Sequence, residues 1–198
     1  MKYWKGVAVA AVMVTALVIF GAGTASATVV CKTKTSPCAS PYLKGTVFQS
    51  VLTPGTTAVF KAGFATIECS EGQGSVETAT NGSATETVKG ITKTLSFGGC
   101  NAELTVLKTG QGEIHWTTKT NGTFTVEGME VRASTLGVTC IYGGAISSGI
   151  TLNGGEKPTI SINAKVPLIS GGFLCSNPGT MTASLTVTEP TPLYVLAS

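Results

Sequence analysis

The sequence predicts an all-β fold, an antiparallel β-sandwich of immunoglobulin-like or jelly-roll-like kind. Short runs rich in Thr and Val recur along the chain, Gly, Asn or Pro separates them, and no apolar stripe of helical period follows residue 27. β-Branched residues suit a pleated, half-buried surface, and Gly supplies the turns. The runs fall at 45–48, 57–61, 65–69, 75–80, 85–89, 92–97, 103–107, 113–120, 123–127, 130–133, 137–142, 146–152, 159–164 and 182–188. Many short strands at this spacing indicate a sandwich or barrel. No long linker divides them, so residues 28–198 read as one domain, with 28–56 an N-terminal segment and 57–189 the core.

Residues 1–27 have a different character. Lys2 and Lys5 precede an apolar stretch from Gly6 to Gly21, and Ala25-Ser26-Ala27 is a small-x-small triplet. That is the layout of a secretory signal peptide cleaved after Ala27, which makes the mature chain extracellular. The apolar run is shorter than the roughly 20 residues that span a bilayer, and no basic stop-transfer cluster follows it, so no stable membrane insertion is expected.

The sequence holds 13 Lys and Arg against 10 acids. Without Lys2 and Lys5 the balance is close to neutral, and Arg132 is the one arginine. Such a chain has no electrostatic footprint for nucleic acid or an anionic membrane. Every acid is Glu, so the usual residue of calcium loops is missing.

Asn-Gly, a strong hairpin signal, occurs between strand-like runs at Asn81-Gly82 and Asn121-Gly122. At the second, a two-residue loop would put Ile114 and Trp116 on the opposite face from Phe124 and Val126. A three-residue loop, Thr120-Asn121-Gly122, pairs Lys119 with Thr123 and sets Trp116 opposite Val126 and Thr118 opposite Phe124. The expectation is therefore a type I turn with Gly122 left-handed in a bulge, and one apolar face carrying Ile114, Trp116, Phe124 and Val126.

Six cysteines in an exported chain imply three disulfides. Cys31 and Cys38 are neighbours near the mature N-terminus. The segment from Ile67-Glu68-Cys69 to Gly99-Cys100-Asn101 echoes the one from Val138-Thr139-Cys140 to Cys175-Ser176-Asn177, which points to an internally duplicated, cysteine-bridged unit. The expected pairs are Cys31 with Cys38, Cys69 with Cys100, and Cys140 with Cys175. Zinc is the competing use of cysteine, but no C-x-x-C pair occurs and the sole histidine lies far from the cysteines in sequence. No metal or other cofactor is expected.

The signal peptide, the Thr/Gly-rich short strands, the strand ending in Ile67-Glu68-Cys69-Ser70 and the turn Phe97-Gly98-Gly99-Cys100 together resemble uncharacterised secreted β-proteins of actinobacteria. The resemblance covers most of the mature chain, implies a bacterial extracellular protein and carries no activity with it.

Candidate chemistry is sparse. Glu113 and His115 share one strand face, where a carboxylate can orient an imidazole for general-base work. That face is also the expected solvent face of the hairpin. No G-x-S-x-G turn supplies a nucleophile. Glycosidase chemistry needs two facing carboxylates, and Glu127 with Glu130 is one of many undistinguished pairs. A sugar platform needs exposed aromatics in a row, and Tyr42, Tyr142 and Tyr194 are scattered. No catalytic residue is assigned. The function expected is a non-enzymatic binding, adhesive or surface-associated module for an extracellular protein, glycan or cell-surface ligand. The alternatives are a hydrolase using Glu113 and His115 and a self-assembling coat or matrix subunit.

Overall fold

Side-chain alternation is clearest in Val47–Leu52 and Ala58–Gly63, where every second residue is buried, and the chain is built from such strands throughout. The structure, a computed structural model, describes residues 27–63 and 65–198. The expected signal peptide therefore lies, except for Ala27, outside the described residues. In chain order the strands are β1 (Thr28–Cys31), β2 (Val47–Leu52), β3 (Ala58–Gly63), β4 (Thr66–Thr78), β5 (Val88–Cys100), β6 (Glu103–Lys108) and β7 (Gln111–Thr118). They continue with β8 (Asn121–Thr135), β9 (Val138–Ile146), β10 (Ile150–Asn153), β11 (Thr159–Val166), β12 (Leu168–Ser170), β13 (Cys175–Glu189) and β14 (Tyr194–Ala197). The fold is all-β and antiparallel, and the described residues contain no helix.

Several strands are longer than their sequence runs because glycines continue them. The runs 65–69 and 75–80 merge into β4, in which Gly72 and Gly74 lie beneath Phe97 and Leu95 of the neighbouring strand. The runs 123–127 and 130–133 merge into β8 through Gly128, whose φ of 71° sits in a bulge between Val126 and Met129.

Two ends of the sandwich differ. At one end the ladders form a closed circuit: β8 pairs with β10, β10 with β11, β11 with β13, β13 with β2, β2 with β4, β4 with β5, β5 with β7, and β7 returns to β8. The two-stranded β1–β14 sheet covers that end, tied by the Cys31–Cys38 disulfide. The buried Thr28 hydroxyl accepts from the Trp116 N–H at 2.9 Å, and Val195 N–H donates to the Thr120 carbonyl. Val30 and Val195 are both fully buried in the apolar cluster that contains Phe48, Val88, Ile114 and Leu193. The segment 28–56 thus supplies both a cap strand and an interior strand, β2.

At the other end two sheets face each other without closing. One holds β11, β13, β3, β4 and the far half of β5, and the other holds β6, the far half of β8, β9 and β12. Tyr142 pins the two. Its buried hydroxyl donates to the Ala62 carbonyl at 3.0 Å, and its ring meets Phe60 edge-on at 5.0 Å. The disulfides Cys69–Cys100 and Cys140–Cys175 belong to this end. They are not equivalent: Cys69 and Cys100 are direct partners in the β4–β5 ladder, whereas Cys140–Cys175 joins β9 to β13, which share no ladder.

The β7–β8 hairpin departs from its expected register. Ile114 stands opposite Phe124, Trp116 opposite Gly122 and Thr118 opposite Asn121, so the turn is Lys119-Thr120, with Lys119 at a φ of 55°. The slip is an even number of residues, so Ile114, Trp116, Phe124 and Val126 still share the inward face. Gly122 is not left-handed. A Cβ there would lie 2.8 Å from the His115 carbonyl oxygen and 3.0 Å from Val195 Cγ1, so close packing under the cap requires glycine. Asn121 accepts the Gly154 N–H at 3.1 Å. At the first Asn-Gly, the tip of the β4–β5 connection is likewise displaced, to Ala84-Thr85 between the bridged Ser83 and Glu86.

Candidate functional site

Glu113 and His115 project from β7 on the side opposite Ile114. Their carboxylate and imidazole approach to 3.6 Å, and Glu113 also meets Lys89 at 3.7 Å and accepts the Thr87 hydroxyl at 3.3 Å. Both side chains are about one-third or more exposed and line neither interior cavity. The pair is one part of a wet, mixed-charge sheet surface. Glu130 is ion-paired with Lys108, and Glu127 lies across the Gly128 bulge from it. Tyr42, Tyr142 and Tyr194 are all buried, which removes them from any surface that stacks sugars. An outer cleft of about 220 Å³ over β2, β4 and β5 has Glu71 as its one carboxylate. Among the described residues no cluster of His, Cys or Glu is placed to hold a metal ion. No helix of the described residues is long and apolar enough to cross a membrane.

The concave feature the sequence did not announce is inside. A cavity of about 110 Å³ lies between the sheets at the open end, walled by Phe60, Leu104, Val131, Ile162, Met181 and Leu185 among others. A smaller cavity of about 60 Å³ lies toward the capped end, walled by Phe48, Val88, Ile114, Leu152 and Leu193. Ser50, Val76, Phe124 and Ile160 line both and form the partition. No charged side chain lines the larger cavity.

Its opening follows from the ladder. β5 pairs with β7 over Val88–Ile91, and the last rung is Thr92 N–H to the Gly110 carbonyl at 3.2 Å. Continued in that register, Thr94 would face Lys108 and Ser96 would face Val106. No ladder forms there: β6 pairs with β8 alone, so the facing edges of β5 and β6 form a slot with no ladder across it between the Thr92–Gly110 rung and the turn at Asn101-Ala102. Thr92, Thr94, Leu95 and Thr109 stand beside this slot and line the cavity. Periodicity identified Phe124 and Val126 as inward-facing, but the gap between β5 and β6 is a long-range outcome with no local signal.

An ion pair braces the open end of the sandwich and a charge-assisted hydrogen bond braces the capped end. At the open end Arg132 on β8 binds Glu103 on β6, and Glu103 also accepts from Thr105; these bonds hold its carboxyl below the usual carboxylate range. At the capped end the Tyr194 hydroxyl donates to Glu156 at 2.7 Å, which raises the phenol above its ordinary value. No protein-family model matches the chain, and no curated protein or solved structure matches it.

Proposed function

We propose that this chain is a secreted, non-enzymatic β-sandwich that acts outside the cell as a binding module and holds its ligand between its sheets. The observation that carries this reading is the charge-free cavity at the open end, reached through the slot between β5 and β6. Ligand sites in proteins are concave, mostly apolar and edged by a few polar groups, and this cavity has that form. Three disulfides suit an oxidising compartment, as do the N-terminal leader and the likeness to secreted actinobacterial β-proteins. The outward position of Glu113 and His115 on an open sheet face favours binding over hydrolysis, because a hydrolytic site must surround its substrate and exclude water.

The test is retention. The full-length sequence is expressed in a secreting host, and the product is immobilised with its disulfides intact beside a reduced and alkylated control. Both are exposed to culture fluid and washed, and bound compounds are released by denaturation for mass spectrometry. A low-mass compound released from the oxidised protein alone is the expected result. Equal release from both samples, or none, would overturn the reading.

A further inference from the structure

We propose that the larger cavity takes a small, neutral, apolar molecule bearing one hydroxyl or carbonyl, which enters through the β5–β6 slot and leaves its polar atom at Thr92 and Thr109. The inference rests on the reading of the chain as a binding module and names the ligand class of that same site.

Size comes first. An apolar protein cavity of about 150 Å³ stays dry and accepts benzene, so about 110 Å³ behind a yielding wall fits a single ring or a chain of about six carbons. The wall yields for a stated reason. The chain has four methionines, two of them within the first thirteen residues, and the other two, Met129 and Met181, both line this cavity. An unbranched thioether side chain repacks around a guest more readily than a β-branched one. Phe124 adds a second adjustable element, since the smaller cavity lies directly behind it.

Charge comes second. Nothing ionised lines the cavity, and burying a carboxylate or ammonium without a partner is prohibitive, so the guest is neutral. Orientation comes third. Ser50 donates to the Gly74 carbonyl at 3.3 Å, and Ser75 and Thr94 share a hydrogen bond of 2.7 Å. The hydroxyls of Thr92 and Thr109 make no hydrogen bond among the described residues, and both stand half-exposed at the slot. They are the donors and acceptors available to an entering polar atom, and the far wall of Ile, Val, Leu and Phe takes the apolar remainder.

Methyl NMR of the disulfide-intact secreted protein, labelled at methionine, reads the site directly. 1-Hexanol, benzyl alcohol, benzene and hexanoate are titrated at pH 7. The two alcohols and benzene shift the Met129 and Met181 methyl signals saturably, and hexanoate binds about a hundredfold or more weakly than 1-hexanol. Thr109→Val weakens 1-hexanol about fivefold and leaves benzene unchanged. Ala164→Leu, which fills the cavity from β11, removes all shifts while the methyl dispersion of the folded state persists. Hexanoate binding as tight as hexanol, or equal loss of hexanol and benzene in Thr109→Val, would overturn the ligand class and leave the binding-module reading standing. No saturable shift from any compound on the unmodified protein would overturn the cavity as a site, whatever Ala164→Leu does. The retention experiment then judges the module reading separately.

Discussion

The capped and open ends of this sandwich share β4, β5, β8, β11 and β13 and differ in how they close. At the capped end, backbone hydrogen bonds run around the whole circuit and the β1–β14 sheet seals it, so the interior keeps only the small void beside Phe48 and Leu193. At the open end, the β5–β7 ladder stops at the Thr92–Gly110 rung without passing to β6, and the Cys140–Cys175 bridge and the Tyr142 pin hold the sheets in place of a ladder. The difference teaches where a binding cavity can exist in a small β-protein. A void is tolerated where cross-links, rather than continuous packing, maintain the separation of the sheets.

The largest effects should come from removing the disulfides. Replacing Cys140 and Cys175 with Ala frees a loop of 35 residues, and replacing Cys69 and Cys100 frees one of 31, so each costs about 3 to 4 kcal/mol by the chain-entropy argument. The Cys31–Cys38 bridge closes only 7 residues and should cost about 2 kcal/mol. Denaturant midpoints of the three double variants measure this order. Beyond stability, loss of Cys140–Cys175 should also raise amide exchange in β9 and β13 more than in β2, because those two strands have no ladder between them. Uniform exchange across both ends would show that the bridges do not distinguish them.

Two phenylalanines sharpen the contrast at the next scale. Phe60 is fully buried against Tyr142, and Phe60→Ala should cost about 3 to 5 kcal/mol. Phe124 has a cavity on each side, so it has fewer partner atoms to lose, and Phe124→Ala should cost about 1 to 2 kcal/mol less than Phe60→Ala. Thermal unfolding of the two variants makes the comparison, and an equal loss would mean that the voids beside Phe124 close in solution.

The smallest effects are electrostatic and opposite in sign at the two ends. Because Arg132 holds Glu103 below the ordinary carboxylate range, the stabilisation it brings is complete above that range and disappears as pH falls through the lowered value. Because Glu156 raises Tyr194, its stabilisation is complete below the ordinary phenol value and disappears as pH rises through the raised one. The Tm deficit of Glu103→Gln should therefore vanish in acid, and that of Tyr194→Phe should vanish in alkali. The Arg132–Glu103 pair is exposed, and Glu156 is exposed beside the buried Tyr194, so the deficits at pH 7 should be no more than a few degrees. A Glu103→Gln deficit that survives in acid would locate its cause in packing instead.

Local pattern carried the class of the fold because a strand announces itself by a period of two, and Thr, Val and Gly place that period and its interruptions in the sequence itself. It also assigned Ile114, Trp116, Phe124 and Val126 to one face, since parity survives an even slip in register. The intervals that group Cys69 with Cys100 are legible for the same local reason, as those residues are direct partners in a hairpin ladder. Asn121-Gly122 shows the limit. It reads as a turn, yet Gly122 is there because His115 and Val195 leave no room for a Cβ, and Asn121 is there to accept the Gly154 N–H. The cavity, its slot and the neutrality of its walls belong wholly to tertiary structure. A void is what the strands leave between them after packing, and no single segment contains the missing ladder between β5 and β6.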